Sequence, residues 1–337
     1  MPIHTVLGPI EPTDLGRTSM HEHVLIDARV WYEPSSEAGP ADGVVRLENF
    51  GYHRWNLIGN PDNLVLDDVD AAAEELALIT EVGGSGVVDL SNDGLGRDVS
   101  KLPDISRRSG VHIMAASGCY VDAAHPDWVE TSTETQLADR FTSELVDGLD
   151  GTDIRAALLG EIGTSDPVTP REWKVLAAAA DAAVRTGSSI SIHLDARGTN
   201  GVAVFEFLAE RGVTADRIVL GHVDEHLDLA YHRDMIATGS TIAYDTFGSD
   251  YAFNGLFKDP ADDQRLEVLL PLLRDGHAAQ IVLACDVFTK IHTRRFGGFG
   301  YDHLLRRILP LLRAEGISET ELDTMLIDNP RRLLDRP

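Results

Sequence analysis

Eight short runs rich in β-branched residues, each followed by a longer stretch with helical spacing, recur along nearly all of this 337-residue chain. The runs are Gly16–His23, Gly86–Ser91, Val111–Ser117, Arg155–Glu161, Ser189–His193, Arg217–His222, Ser240–Asp245 and Gln280–Asp286. The stretches after them lie at about 67–81, 98–109, 134–149, 170–187, 200–212, 226–238, 262–275 and 301–315. One is punctuated at both ends: Thr169 can cap ahead of Pro170 at the first helical position, and Gly187 closes it. A strand followed by a helix, eight times over with no break in composition, predicts a (β/α)8 TIM barrel, class α/β, as one domain over residues 1–337. At roughly 150 residues per domain, length alone suggests two units, for which a doubly wound sheet is the alternative. No Pro/Gly/Ser-rich linker divides the chain, however. Residues 32–66, rich in Gly, Pro, Asn and Trp, form a first βα connection of the length seen in lids and binding loops. A last helix near 318–328 opens a C-terminal helix and tail over about 318–337.

Charge then narrows the partners. The chain carries 55 Asp+Glu against 29 Lys+Arg, a net charge of −26. Nucleic acid and anionic membrane surfaces repel such a chain. Two cysteines, Cys119 and Cys285, supply neither a disulfide framework nor a Cys-rich zinc site. The N-terminus lacks a basic start followed by an apolar core, and no apolar run approaches the roughly 20 residues of a membrane span. A cytoplasmic protein acting on a small molecule is the expectation.

Chemistry collects where the strands end. Strand one closes on His21 and His23, two apart and so on one face. Strand four closes on Glu161, strand five on His193, strand six on His222 and strand eight on Asp286. In a barrel these six side chains converge at the C-terminal face, where barrel enzymes place their active sites. Taken singly each has a plainer reading: His222 as a hydrogen-bonded core residue, Glu161 as the partner of an arginine. Together at apolar strand ends they are costly unless paired or metal-bound. Four imidazoles and two carboxylates suit two borderline divalent ions, Zn²⁺ first and Mn²⁺ or Co²⁺ as alternatives, sharing one carboxylate. Glu22, between the histidines, faces the helix layer as a structural residue, and Cys285 alternates away from Asp286 as a packed thiol.

These motifs resemble those of the phosphotriesterase family of the amidohydrolase superfamily. The resemblance runs from "LGRTSMHEHVLID" through "GEIGTS", "SIHLDA" and "IVLGHVDE" to "CDVFTKIHTRRFGGFGYDHLL" and "DNPRRLL". It implies that His21, His23 and Asp286 hold the more buried metal and His193 and His222 the more exposed one. The bridge in phosphotriesterases proper is a carboxylated lysine; here it is Glu161, as in the phosphotriesterase homology proteins. Phosphotriesterases proper also place a relay histidine after the strand-seven Asp, where this chain has Thr246 after Asp245. That departure weighs against organophosphate triesters.

The function expected is a binuclear hydrolase using a metal-bridging hydroxide on a carbonyl centre. Asp286 moves the proton to the leaving group. Tyr120 either donates a hydrogen bond to the substrate or serves as a wall aromatic. Arg197 in loop five and Lys290, Arg294 and Arg295 in loop eight either hold an anionic substrate or form a solvated, ion-paired face. A lactone or carboxylic ester is the first substrate class, an N-acyl amide such as an acylated amino acid the second, and a phosphoester the third. A metal-dependent isomerase or decarboxylase and an inactive binding protein are the readings outside hydrolysis. A homodimer is the assembly the resemblance suggests.

Overall fold

The computed structural model describes residues 2–336, so Met1 and Pro337 of the expected domain lie outside the described residues. Eight parallel strands form one sheet: β1 (Arg17–Glu22), β2 (Gly84–Asp89), β3 (His112–Ser117), β4 (Leu158–Gly163), β5 (Ile190–His193), β6 (Ile218–Leu220), β7 (Thr241–Tyr244) and β8 (Ile281–Leu283). They pair in chain order from β1 to β8. The Asp286 amide just beyond β8 donates to the His21 carbonyl in β1 at 3.1 Å, bringing the two edges together as a barrel. The helices that follow are α1 (Val69–Glu81), α2 (Leu102–Ser109), α3 (Glu134–Val146), α4 (Pro170–Thr186), α5 (Gly201–Glu210), α6 (Leu229–Ala237), α7 (Asp262–Arg274) and α8 (Leu309–Ala314). The expected cap holds at α4: the Thr169 hydroxyl accepts from the Glu172 amide, and Gly187 ends the helix at φ 69°.

Two apolar layers result. Outward residues of the strands pack against the helices, Leu159 and Ile162 of β4 among them. Inward residues fill the lumen, with Met20, Val88, Met114, Leu158 and Val282 in one buried cluster. Ile3 and Leu15, and Leu333 and Leu334 from the C-terminus, join that cluster from the side where the strands begin.

Several boundaries differ from those expected, strand four among them, which runs Leu158–Gly163 rather than closing on Glu161. Strands six and eight end before His222 (φ 55°) and Asp286 (φ 47°), which turn into the left-handed region and leave the ladder, and strand seven ends at Tyr244, one residue before Asp245. The C-terminal helix runs on past 328, as an α turn (Glu319–Asp323), a π turn (Thr324–Asp328) and a final α segment (Asn329–Leu334). Asn329 ties it down by donating to the carbonyls of Ala278 and Ile281. Residues 32–66 are built of short elements: Phe50–Trp55 is helical, Pro61–Leu64 is a 3-10 turn, and Val65–Leu66 pairs antiparallel with Ile26–Asp27.

Candidate metal centre

The strands that bring His21, His23 and Glu161 to the site both carry an irregularity where they do so. The β1–β2 register shifts between Ser19 and Glu22, and the β4–β5 register shifts between Leu159 and Ile162. Such bulges re-aim side chains. Met20 can thus stay in the lumen while His21 and His23 both reach the top, and Leu158 can fill the core while Glu161 turns upward.

Glu161 is the hub. Its Oε2 lies 3.1 Å from His193 Nδ1 and 3.4 Å from both His21 Nε2 and His222 Nε2. Its Oε1 lies 3.4 Å from His23 Nε2. Asp286 Oδ1 stands 3.2 Å from His23 Nε2 and 3.7 Å from His21 Nε2. The structure therefore gathers all six side chains expected from the strand ends. They form three overlapping trios: His21, His23 and Glu161; His21, His222 and Asp286; and Glu161, His193 and His222.

A second set of residues orients the imidazoles. Asp245 Oδ2 is 2.9 Å from His21 Nδ1, while Asp245 Oδ1 accepts from the His222 amide at 2.9 Å and lies 3.2 Å from His222 Nδ1. Ser91 Oγ meets His23 Nδ1 at 3.0 Å. With their Nδ1 atoms so engaged, His21, His23 and His222 turn Nε2 toward the carboxylates, as metal-binding imidazoles do. Asp245 is itself fixed, since the Asp224 carboxylate accepts from the amides of Asp245 and Thr246. The Thr246 hydroxyl is taken up by Arg265 Nε at 3.1 Å, within the wall of the barrel. Glu22 faces away from the site as expected, accepting from Ser19 Oγ and from the amides of Cys285 and Val287; Cys285 is a buried thiol.

Electrostatics follow from this crowding. Burial alone would raise Glu161, but the neighbouring His21 and His193 hold it well below the usual carboxylate range. Burial is likewise outweighed at His23, which the nearby carboxylates of Asp286 and Glu161 push up to about 9. His21 Nε2 and Asp286 Oδ1 are buried without any hydrogen-bond partner. Orphaned lone pairs of this kind are rare in a folded interior. Imidazole and carboxylate together are the donor set of borderline divalent ions, so these residues fit two cations sharing Glu161.

A cavity of about 510 Å³ opens above the cluster. The Tyr120 hydroxyl is 3.4 Å from both ring nitrogens of His193 and accepts from Trp31 Nε1 at 3.2 Å. Burial, reinforced by the Glu161 and Asp286 charges, holds the Tyr120 phenol well above its ordinary pKa, so it stays a donor. Arg197 lines the same cavity, its guanidinium 5.0 Å from the Phe257 ring centre. The other three expected cations are placed elsewhere: Lys290 pairs with Asp62 at 2.6 Å, Arg294 with Asp302 at 3.3 Å and Arg295 with Asp68 at 3.3 Å. Lys290 and Arg295 line a separate cavity of about 370 Å³ beneath the first loop. Asp245, Ser91, Trp31 and the cavity-lining Glu225 escaped the sequence reading. Only Asp245 carried a usable signal, an acid at the end of strand seven.

Comparison with known proteins agrees with this geometry. The phosphotriesterase family model matches residues 1–334. An N-acetyltaurine hydrolase of Salmo salar is 36% identical over 98% of this chain and 97% of its own length. A resiniferatoxin-binding protein from Rhodobacter sphaeroides superposes with a TM-score of 0.95 at 34% identity, covering 99% of this chain and 95% of that one. The phosphotriesterase homology protein of Escherichia coli, solved with phosphate in its active site, gives 0.80 at 30% identity over 97% of this chain and 100% of its own. With its matched length, its barrel and its converging His/Glu cluster, this chain belongs to the phosphotriesterase family.

Proposed function

We propose that this metal-dependent hydrolase cleaves N-acyl amides of small anionic amines, with lactones and carboxylic esters behind them. The order reverses the one expected from sequence, and relatives across vertebrates and an amoeba, described as N-acetyltaurine hydrolases, support the reversal. The observation that carries the reading is Arg197: it is the one Lys or Arg lining the cavity, and no carboxylate among the described residues pairs with it. N-acetyltaurine is an acetamide ending in a sulfonate, and a guanidinium at the mouth suits such an anion.

His21, His23 and Asp286 would hold one divalent ion and His193 and His222 the other, with Glu161 shared. When bound, such ions polarise a carbonyl and make water a nucleophile at neutral pH. The chain's own groups supply the rest. Arg197 anchors the anionic end and sets the depth at which the carbonyl rests. Tyr120 and Trp31 cover His193 and limit water on that side, and the Tyr120 hydroxyl donates to the substrate oxygen. Asp286 accepts one proton of the attacking water and returns it to the amide nitrogen as the C–N bond breaks, and the second water proton passes from the new carboxylic acid to the amine, leaving a carboxylate and an ammonium.

Turnover of N-acetyltaurine, γ- and δ-lactones and aryl phosphate esters by the metal-loaded protein tests the order, and a lactone or phosphoester with the highest kcat/KM overturns it. Replacing Arg197→Leu should raise KM for N-acetyltaurine by about 10-fold or more while leaving a neutral N-acetyl alkylamine within about twofold.

A further inference from the structure

We infer that the preferred acyl half is larger than acetyl: a medium-length alkyl or an aryl group lodged on an apolar wall beside the metal cluster. The inference rests on the amide reading above and adds the substrate's apolar half. Three observations meet in it. First, the cavity, at about 510 Å³, lies in the range of sites that enclose drug-sized ligands. An acetyl group and a two-carbon link to an anion occupy only part of such a space. Second, one side of the cavity is a coherent hydrophobic cluster. Ile26, Ile58, Leu95 and Tyr120 are buried in it, with Phe253 and Phe288 packed against it, and all six also line the cavity. It is assembled from the first loop, the connections after β2 and β3, and those after β7 and β8, so no single element explains it. Third, the cationic and apolar parts are joined. Arg197 lies over Phe257, and Phe257 stacks on Phe253 with ring centres 4.3 Å apart.

Guanidinium, carboxylate–imidazole floor and hydrocarbon wall thus line one cavity, within reach of a single amphipathic substrate. At the rim, Leu256 is 56% exposed and Trp31 39% exposed, large apolar side chains that a longer acyl group would cover. An acetyl group leaves most of this surface wet, whereas each additional buried methylene strengthens binding.

The test is a series of N-acyl taurines, acetyl through butanoyl, hexanoyl and octanoyl, with benzoyl beside them, on the metal-loaded protein. We expect kcat/KM to rise about threefold per methylene up to hexanoyl, with benzoyl above acetyl. Ile58→Trp, which fills the wall, should lower the hexanoyl-to-acetyl ratio at least tenfold. Leu256→Ser, at the exposed rim and without risk to folding, should lower the same ratio about threefold. Acetyl as the best substrate, or a ratio unmoved by Leu256→Ser, overturns the apolar-half assignment and leaves the amide reading standing. A folded, metal-loaded protein that turns over no member of the series overturns both.

Discussion

Asp245 holds two imidazoles at once. One oxygen faces His21 Nδ1 and the other faces His222, at both its amide and its ring. The pair shares one trio of the cluster, and each imidazole also belongs to a second trio that the other does not enter, so a single carboxylate sets the aim of imidazoles on both sides of Glu161. Replacement by the isosteric amide keeps the shape and removes the charge. Asp245→Asn should lower metal affinity about 10- to 100-fold, read by titration against a chelator, with little change in the folded circular-dichroism signal. Unaltered affinity would show that the imidazoles need no such partner. Glu161 is tested by removal: Glu161→Ala should lose most of one metal equivalent and nearly all turnover, and a variant with full metal content and activity would break the bridging assignment. The six converging side chains were legible because imidazoles and carboxylates stand out at the ends of apolar runs. Asp245 stands at the same kind of place, but beside Thr246 it drew notice only as the neighbour of a missing histidine. Lys290, Arg294 and Arg295 could not be sorted from Arg197 by sequence. Ion pairing in so acidic a chain depends on which carboxylates the fold brings near: Asp62 and Asp68 arrive from the far end of the chain, and Asp302 folds back from eight residues on.

Among the elements, β1 and β8 do more than complete the ring. The Glu22 carboxylate accepts from the amides of Cys285 and Val287 at 3.0 Å each, on either side of Asp286, and from Ser19 Oγ at 2.6 Å. It is fully buried. The segment it grips is the one where β8 leaves the ladder and Asp286 takes a positive φ. Barrel closure and the placement of Asp286 are thus one feature. Glu22→Gln retains a single amide oxygen for the two backbone donors and adds a buried NH2 group. A loss on the order of 2 kcal/mol is expected, seen as a lower urea midpoint, together with a fall in kcat larger than the rise in KM. A stability loss with kcat intact would separate closure from the site. Periodicity gave the order of elements because each strand and helix buries one continuous face. It could not give the bulges in β1 and β4 or the early ends of β6 to β8. There the register shifts and the positive φ values of His222 and Asp286 accompany contacts between distant strands, which leave no local pattern.

The net charge of −26 bears on the whole molecule more than on the site. Many of the 29 basic residues are used in ion pairs at the surface, such as Arg17 with Asp323 and Arg233 with Asp275, and exposed pairs of this kind contribute little each. The response of the fold to acid is better read from buried groups whose proton affinity changes on folding. His292, 3% exposed, is one. Its Nδ1 meets Thr289 Oγ1 at 2.6 Å, its Nε2 lies 3.4 Å from Ser249 Oγ, and the rings of Tyr251 and Phe288 enclose it. Burial, with Arg265 adding to it and Asp286 opposing it, lowers its pKa to about 4. An unfolded histidine titrates near 6.5. Between those values the unfolded chain holds a proton that the folded one refuses, so acid favours unfolding. The stabilisation is complete above pH about 6.5 and disappears as the pH falls toward 4, amounting to on the order of 3 kcal/mol. Glu22 and Asp224, both raised to about 7, act in the opposite sense, since their folded forms keep a proton that the unfolded chain has lost. The total profile therefore blends contributions, and a single replacement isolates this one. In urea unfolding of the metal-loaded protein, the stability difference between the parent and His292→Gln should be largest at pH 7 and narrow steadily down to pH 4.5. Two curves that stay parallel across that range would mean that His292 takes up its proton in the fold as readily as in the unfolded chain.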